Sequence, residues 1–259
     1  MYTAQVSFPA TGSDWEAMVD AAQGVLAIWY KNGQIATDVW PAVVDAKSRA
    51  HVKFVVSLPH HDSLDERHNN EYVAKELEAL AEHGVGPPTI DIWGFDPGTL
   101  HACGCARPHS YILFTHFLTK EGAIRCGDCF NPIPLYRLGA DDHGEYNYIL
   151  HWRANYQACD TLQILCSVGE AFGEDQLFHH ASQLSLKGLE ICRKIAGKTG
   201  KPTYYYLFKS RGNTLDDELN RRCPTCDDQW MLSEKWHGKF DFKCDKCCLL
   251  SNIACDLEG

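Results

Sequence analysis

Two Cys-x-x-Cys pairs near the carboxyl end of the chain constrain its fold more than any other feature. Cys223 pairs with Cys226, Cys244 pairs with Cys247, and seventeen residues separate the two pairs. Each pair can turn sharply enough to present two thiolates, at about 2.3 Å, to one tetrahedral Zn²⁺. The residues between the pairs alternate as two short strands would. This arrangement predicts a zinc ribbon with these four cysteines as ligands.

A second group of four cysteines lies in the middle of the chain. Its members are Cys103, Cys105, Cys126 and Cys129, and twenty residues separate its two pairs. Gly104 and Gly127 lie inside the short turns, where we expect positive φ angles to bring neighbouring thiolates around one ion. The pattern predicts a second zinc site. The alternative is that these are four reduced cysteines in a hydrophobic core.

The cysteine content favours metal binding in a reducing compartment. The chain has 259 residues, of which 13 are cysteines. Its first residues lack the basic and apolar regions of a secretory leader, and cysteines in the cytosol are more often metal ligands than disulfides. No stretch approaches the roughly 20 apolar residues that cross a bilayer. We expect a cytoplasmic protein with no membrane partner.

Residues 1–97 carry alternating strand and helix patterns. Strands are predicted at Tyr2–Phe8, Ile35–Val44, His51–Leu58 and Thr89–Phe95. One helix is predicted between the first and second strands, and another over Glu71–His83 between the third and fourth. The order βαββαβ is that of a ferredoxin-like split unit. The predicted fold class is therefore α+β, with a ferredoxin-like domain at residues 1–97.

Three further segments are predicted after this domain. Residues 98–140 form a CxC/CxxC zinc-binding segment. Residues 141–213 form a mixed, mainly helical central region that ends in an aromatic strand. Residues 214–259 form the C-terminal zinc ribbon.

Within the central region, periodicity predicts which residues are buried. Leu186, Leu189, Cys192 and Ala196 are predicted to share the buried face of one helix. Phe172–Asp175 is predicted to be a loop. Pro202–Phe208 is predicted to be a strand that is buried on both faces, because its aromatic residues follow one another without alternation.

Charge limits the partners that the chain can bind. Its net charge is −10, and residues 1–100 alone hold six basic and fourteen acidic residues, a net of −8. Non-specific nucleic-acid affinity depends on neutralisation of phosphates by Lys and Arg. The chain as a whole therefore repels a polyanion. Any contact with nucleic acid must be local.

Basic and aromatic residues alternate along the predicted ribbon. The predicted partner-binding residues are Arg221, Arg222, Trp236, Lys239 and Lys243. Cations beside stacking rings are what a single-stranded nucleic-acid platform requires. The alternative is that the aromatic residues only cover a ribbon too small to have its own core.

Three histidines, His60, His61 and His68, lie among acidic residues after the third predicted strand. Imidazoles and carboxylates together can hold a metal or transfer protons, but a solvated loop that caps the next helix is the simpler interpretation. The chain has no GxSxG, P-loop, dinucleotide or HExxH motif. A zinc closed by four sulfurs has no open position for water. We therefore expect no enzymatic activity.

Several motifs occur in an order that resembles one bacterial family. They are the Met1-Tyr start, Cys103-Gly-Cys105, Arg125-Cys-Gly-Asp-Cys-Phe130, Pro134-Leu-Tyr136, Trp152 through Asp160, Gly200-Lys-Pro-Thr-Tyr-Tyr-Tyr206, Arg221-Arg-Cys-Pro-Thr-Cys226 and Phe242-Lys-Cys244. This little-characterised family is described as zinc-ribbon-containing, with a suggested role in nucleic-acid binding. The resemblance implies that both cysteine groups bind zinc. It implies no catalytic residue.

Two hypotheses for function follow. In the first, the ribbon and the neighbouring strand around Tyr204–Tyr206 recognise RNA or DNA locally. In the second, the acidic amino-terminal half binds a basic protein, such as a nucleic-acid-processing enzyme or a toxin for which this chain is the immunity protein. A third hypothesis, an enzyme built around the three histidines, depends on that cluster alone.

Overall fold

The computed structural model describes residues 1–44, 50–139 and 146–257. These residues form two compact units. The first unit contains residues 1–102, 120–122 and 132–147, and the second contains 103–119, 123–131 and 148–259. The four predicted segments do not match these units one to one, because residues 98–140 contribute to both. The predicted α+β class is confirmed, since each unit combines helices with a β-sheet.

The first unit has the predicted element order βαββαβ. Its elements are β1 (Tyr2–Pro9), α1 (Trp15–Lys31), β2 (Val43–Val44), β3 (His51–Leu58), α2 (Glu71–Ala79) and β4 (Thr89–Phe95). In the described chain the sheet order is β2-β3-β1-β4, and every neighbouring pair is antiparallel. Alternate residues of β1 and β3, such as Val6, Phe8 and Phe54, are buried together with Trp29 of α1. This alternation is why one face of the sheet becomes the core of the unit.

The second predicted strand is mostly wrong. Only Val43–Val44 of the predicted Ile35–Val44 is a strand. The segment before it is held by side-chain bonds instead: the fully buried amide of Gln34 donates to the Ser63 carbonyl at 2.9 Å and to Asn69 Oδ1 at 3.0 Å. A buried polar side chain must find such partners, and here they hold the chain in a loop.

The second unit is built around a sheet that both cysteine groups join. Its elements are β5 (Tyr111–Leu113), β6 (Ile124–Cys126), α3 (Asn147–Leu165), α4 (Glu170–Phe178), α5 (Gln183–Thr199), β7 (Thr203–Leu207), α6 (Leu215–Leu219), β8 (Met231–Trp236), β9 (Phe240–Cys244) and β10 (Leu249–Ser251). In the described chain the strand order is β6-β5-β7-β10-β9-β8. β7 is parallel to β5 on one side and to β10 on the other. The central and the carboxyl-terminal segments are therefore parts of one sheet.

The central strand β7 is buried on both faces, as the run of aromatic residues predicts. Helix α5 packs on it through a face that matches the predicted one only in part, since Cys192 is buried and Leu189 and Ala196 are half-buried. The buried residues of α5 are Leu184, Ser185, Gly188, Ile191, Cys192 and Ile195, whereas Leu186 is 52% exposed. Gly188 explains why the buried face differs from the predicted one, because a Cβ there would lie 2.0 Å from the Tyr205 ring. The helix approaches the strand along its smallest side chains.

The predicted loop at Phe172–Asp175 is also wrong, because these residues lie inside α4. Glycine disfavours a helix by propensity, but Gly173 is needed here for close contact between α4 and α3. A Cβ at Gly173 would lie 2.4 Å from the Cys159 carbonyl of α3, so the glycine lets the two helices touch. Among the described residues, no helix combines the length and the apolar character that a membrane span requires.

Candidate metal centres

The C-terminal cysteine group (Cys223, Cys226, Cys244 and Cys247) is brought together at the end of β9. The four sulfur atoms lie within 4.8 Å of one another. The Cys226 and Cys244 sulfurs are 3.6 Å apart. Sulfurs at 2.3 Å from a tetrahedral zinc ion are about 3.8 Å apart. The spacing therefore fits a single metal ion held by four thiolates.

The central cysteine group (Cys103, Cys105, Cys126 and Cys129) has the same arrangement. Its sulfur atoms also lie within 4.8 Å of one another, with 3.5 Å between those of Cys129 and Cys103. The backbone N–H of Cys105 donates to the Cys103 sulfur at 3.3 Å, and that of Asp128 donates to the Cys126 sulfur at 3.4 Å. Such donors stabilise thiolates, the form in which cysteine binds a metal.

All three Cys-x-x-Cys turns have the same backbone conformation at the next residue. Phe130, Asp227 and Cys248, which follow the second cysteine of each pair, have φ angles of 61°, 59° and 51°. In the first two turns the N–H of this residue donates to the carbonyl of the first cysteine, at 2.9 Å in each case. The left-handed conformation costs a non-glycine residue about 1 to 2 kcal/mol. Its recurrence at three turns is typical of a ligand clamp.

The predicted role of the two turn glycines is wrong. Gly104 and Gly127 do not have positive φ; the left-handed residue is the one after the turn. Gly127 is required for a different reason, because a Cβ would lie 1.9 Å from Ser110 Oγ and 3.0 Å from the Ser110 carbonyl oxygen. The glycine lets its N–H donate to that carbonyl at 2.8 Å. Close packing against the start of β5 is thus what this position needs.

An acidic residue inside a turn of each group ties that turn to neighbouring structure. Asp128 accepts a bond from the His109 N–H at 3.0 Å. Asp245 accepts one from the Tyr204 hydroxyl at 2.6 Å and pairs with Lys243 at 2.5 Å. Neither carboxylate was among the predicted site residues, although Asp128 and Asp245 each lie inside a CxxC motif of the sequence. Bonds of this kind orient the ligands of a metal site.

The thiols of both groups respond to burial and to one another. Burial raises the pKa of Cys103, and it raises that of Cys244 to about 11. At Cys129 and Cys223 burial acts in the same direction, but backbone N–H groups and neighbouring thiols lower the pKa overall. A bound dication would favour all four thiolates together. The donor sets therefore fit a metal, and four sulfurs around one ion leave no position for a water molecule.

Arg221, a predicted partner-binding residue, lies in the interior of the second unit. Its side chain is 14% exposed and lies 3.3 Å from the Glu218 carboxylate. The guanidinium donates to Ser251 Oγ at 3.1 Å and to the Asn252 carbonyl at 2.6 Å, and it lies 4.2 Å from the centroid of Phe242. These contacts give Arg221 a structural role, and the placement does not support contact with a partner.

The other predicted partner-binding residues are more accessible. Arg222 and Lys239 are exposed, whereas Trp236 and Lys243 are half-buried. The Lys243 ammonium lies 5.2 Å from the centroid of Trp236, and its charge is already paired with Asp245. The ribbon face, defined here as Arg222, Trp236, Lys239 and Lys243, therefore offers two freely accessible cations.

The histidine cluster of the first unit assembles around Asp62. His60 Nδ1 lies 2.5 Å from this carboxylate, His68 Nε2 lies 3.8 Å from it, and Arg67 also contacts it. His61 packs against the His60 ring, with centroids 4.1 Å apart. Burial opposes ionisation of Asp62, but the bond with His60 and the charge of Arg67 lower its pKa. Among the described residues, only the two cysteine groups gather three or more candidate ligand atoms within 4.8 Å.

Comparison with known proteins gives a family for the chain. An uncharacterized protein of Haemophilus influenzae is 32% identical over 257 residues, which cover 98% of both chains. The chain belongs to the family of this protein. A second uncharacterized protein of H. influenzae is 37% identical over 147 residues, or 57% of this chain and 72% of its own.

Three domains of unknown function match in succession along the chain. DUF8589 matches residues 1–94, DUF2310 matches 105–208 and DUF8594 matches 212–257. Among solved structures, an antibiotic biosynthesis monooxygenase matches 37% of this chain and 99% of its own, at 15% identity and a TM-score of 0.26. At that TM-score the likeness carries no argument about this chain. The predicted membership of a bacterial family of unknown function is confirmed.

Proposed function

We propose that the protein is a non-enzymatic binding protein in which each cysteine group holds one structural zinc ion. The observation that carries this proposal is that two all-sulfur groups with tetrahedral spacing are built into one sheet. Thiolates favour zinc, and an ion closed by four of them serves as a structural element rather than a Lewis acid for water. Zinc therefore supports the second unit instead of taking part in a reaction.

This proposal also assigns the architecture of the two units. The strand order β2-β3-β1-β4, with helices on one face, supports a ferredoxin-like assignment for the first unit. The hairpin β8–β9 and its two Cys-x-x-Cys turns support a zinc ribbon at the end of the chain. The ribbon is not an independent appendage, since β10 joins it to β7.

The proposed activity of the second unit is local recognition of single-stranded RNA or DNA by the ribbon face. Arg222 and Lys239 supply exposed cations, and Trp236 supplies a half-buried ring that packs against Tyr204 of β7. Rings beside cations can stack bases and neutralise phosphates. With two accessible cations on an acidic chain, the affinity must be modest and strongly dependent on salt.

Two measurements test the proposal separately. The metal content of the purified full-length chain should be two zinc ions, measured by inductively coupled plasma mass spectrometry. A content near zero in a folded protein would end the zinc proposal. Binding of a labelled short single-stranded RNA, followed by anisotropy across a salt series, tests the second part.

For the RNA assay we expect a slope of log K against log salt of about −0.7 for each phosphate contact. Arg222→Ala combined with Lys239→Ala should lower the affinity. It should also reduce the magnitude of the slope by the amount expected for roughly one to two phosphate contacts. Lys187→Ala removes an exposed lysine of α5 that pairs with Glu190, and it should change neither quantity. Equal slopes for the wild type and the double variant would contradict recognition by the ribbon face.

The charge distribution favours a second candidate, a basic protein partner of the acidic amino-terminal part. Residues 1–100 have a net charge of −8, which favours fast encounter with a basic surface. Affinity capture from cell extract, with and without nuclease, separates the candidates. A stoichiometric basic protein that survives nuclease would replace the nucleic-acid proposal, whereas recovery of nuclease-sensitive RNA or DNA would support it.

A further inference from the structure

A cleft in the second unit lies beyond the carboxyl ends of its three parallel strands. Its lining comes from the residues that follow β5, from the end of β7, and from Asn252 and Cys255 after β10, with α3 along one side. The cleft has a volume of about 360 Å³, within the range of small-ligand sites, roughly 300 to 1,000 Å³. In open sheets with parallel strands, ligands bind at this edge.

The walls of the cleft are mainly aromatic. The rings that line it are Phe114, Phe117, Tyr156, Tyr206 and Phe208. Phe114, Tyr156 and Tyr206 are less than a tenth exposed, whereas Phe117, at one side, is 39% exposed. Such a set of rings can enclose a flat aromatic ligand, and stacking on a nucleobase requires no particular base.

Two of the polar side chains that line the cleft carry an atom without a partner among the described residues. Gln163 Oε1 and Thr115 Oγ1 are buried and find no hydrogen-bond partner among the described residues, and their side chains are 8% and 1% exposed. Neighbouring Asp160 accepts the Phe117 N–H at 2.7 Å and has further lone pairs available. A buried acceptor without a donor is costly. These side chains therefore suit a ligand that donates hydrogen bonds from the edge of a ring.

Two lysines also line the cleft. Lys235 and Lys239, from β8 and the turn that follows it, line the cleft together with Gly238. Both lysines are exposed, although Lys235 also pairs with Asp241 at 3.4 Å. The acceptors come from α3 and from the residues after β5, whereas the ammonium groups come from β8 and the turn after it, and this gives the cleft a direction. A ligand with ring N–H donors and an anionic group fits it in one orientation.

We infer that this cleft binds a nucleotide, with the base between the aromatic walls and the phosphate at the lysines. An amino group of the base donates to Gln163 Oε1, which then has a partner. The nucleotide can be free or part of a single strand, since both present the same base and phosphate. The inference goes beyond the proposed role of the ribbon face, because binding here needs no contact with Arg222 or Trp236.

Isothermal titration of the full-length, zinc-loaded protein with AMP tests the inference. Adenosine and ribose 5-phosphate serve as fragments that lack the phosphate and the base, and single-stranded oligoadenylate represents the polymer. We expect AMP, or oligoadenylate if the ligand is part of a strand, to bind at least roughly tenfold more tightly than either fragment. Equal binding of AMP and ribose 5-phosphate would mean that only an anion is recognised and would overturn the inference, as would binding of neither AMP nor the oligomer.

Variants locate the site and separate it from the ribbon face. Gln163→Met keeps the size of the side chain but removes the acceptor, so nucleotide affinity should fall roughly tenfold while the ligand-free thermal midpoint stays equal or rises. Lys239→Ala should weaken the binding of AMP but not that of adenosine, and Lys187→Ala should change neither affinity. Arg222→Ala should leave AMP binding intact even if it abolishes RNA binding by the ribbon face. Unchanged affinity in Gln163→Met would overturn the assignment to this cleft.

Discussion

Replacement of Arg221 tests whether this residue stabilises the second unit or is available to bind a partner. Its side chain is 14% exposed, pairs with Glu218 at 3.3 Å and lies 4.2 Å from the centroid of Phe242. Glu218 is 2% exposed and also contacts Lys209. Removing one member of a buried pair costs about 3 to 5 kcal/mol. Because Glu218 keeps Lys209, we expect Arg221→Ala to lower the free energy of unfolding by about 3 kcal/mol, the lower end of that range.

The assay is urea unfolding of the zinc-loaded protein, followed by near-ultraviolet circular dichroism and by release of zinc to a chelator. The two units need not unfold together, so the transition to compare is the one that releases zinc. The neighbouring Arg222→Ala is the control and should change stability by no more than about 0.5 kcal/mol. Arg221→Lys keeps the charge but lacks the planar guanidinium, so its free energy of unfolding should lie between those of the two alanine variants. A loss below about 1 kcal/mol for Arg221→Ala would refute the structural role.

Three further results are expected. Cys226→Ser should lower the zinc content from two ions per chain to one; retention of both would exclude this cysteine as a ligand. Gly188→Ala should cost about 1 to 3 kcal/mol in urea unfolding, because the new Cβ would lie 2.0 Å from the Tyr205 ring. Gly197→Ala, on the same helix, meets no described atom within 4 Å and should gain up to about 1 kcal/mol. Burial raises the pKa of Asp160 above 3.8. Between the unfolded-state pKa and this raised pKa, the folded state binds more protons than the unfolded state, so stability falls as the pH rises through that interval. Asp160→Asn should remove this fall from a pH series of unfolding midpoints.

The sequence predicted the cysteine groups because their geometry is local. One or two residues separate the ligands of each turn, so the turn conformation follows from short-range sequence. The backbone detail was harder to predict, since the left-handed residue after each turn is Phe130, Asp227 or Cys248 rather than a glycine. At Phe130 the ring packs 5.1 Å from Phe114, and this tertiary contact offsets the backbone preference.

The positions that the sequence did not predict depend on distant contacts. Arg221 and Arg222 are adjacent and chemically equal in sequence, but only Arg221 meets Glu218 and Phe242. The buried face of α5 is centred on Gly188, which a hydrophobic pattern does not count as a core residue. Both features depend on contact with the folded sheet, and the strand order of that sheet cannot be predicted from periodicity.

The position of β7 between the two metal-bearing segments has a consequence for biosynthesis. Tyr111 of β5 pairs with Thr203 of β7, so the ribosome must add many residues before the central segment gains its partner. A hairpin as short as β5–β6 is not stable alone in water, and until β7 emerges the proposed zinc ion is what holds it closed. A nascent chain without zinc reaches β7 with both edges of a Thr-Tyr-Tyr-Tyr-Leu strand unpaired, which is a template for aggregation. On the proposed zinc assignment, we expect the zinc supply during translation to set the fraction of the protein that folds.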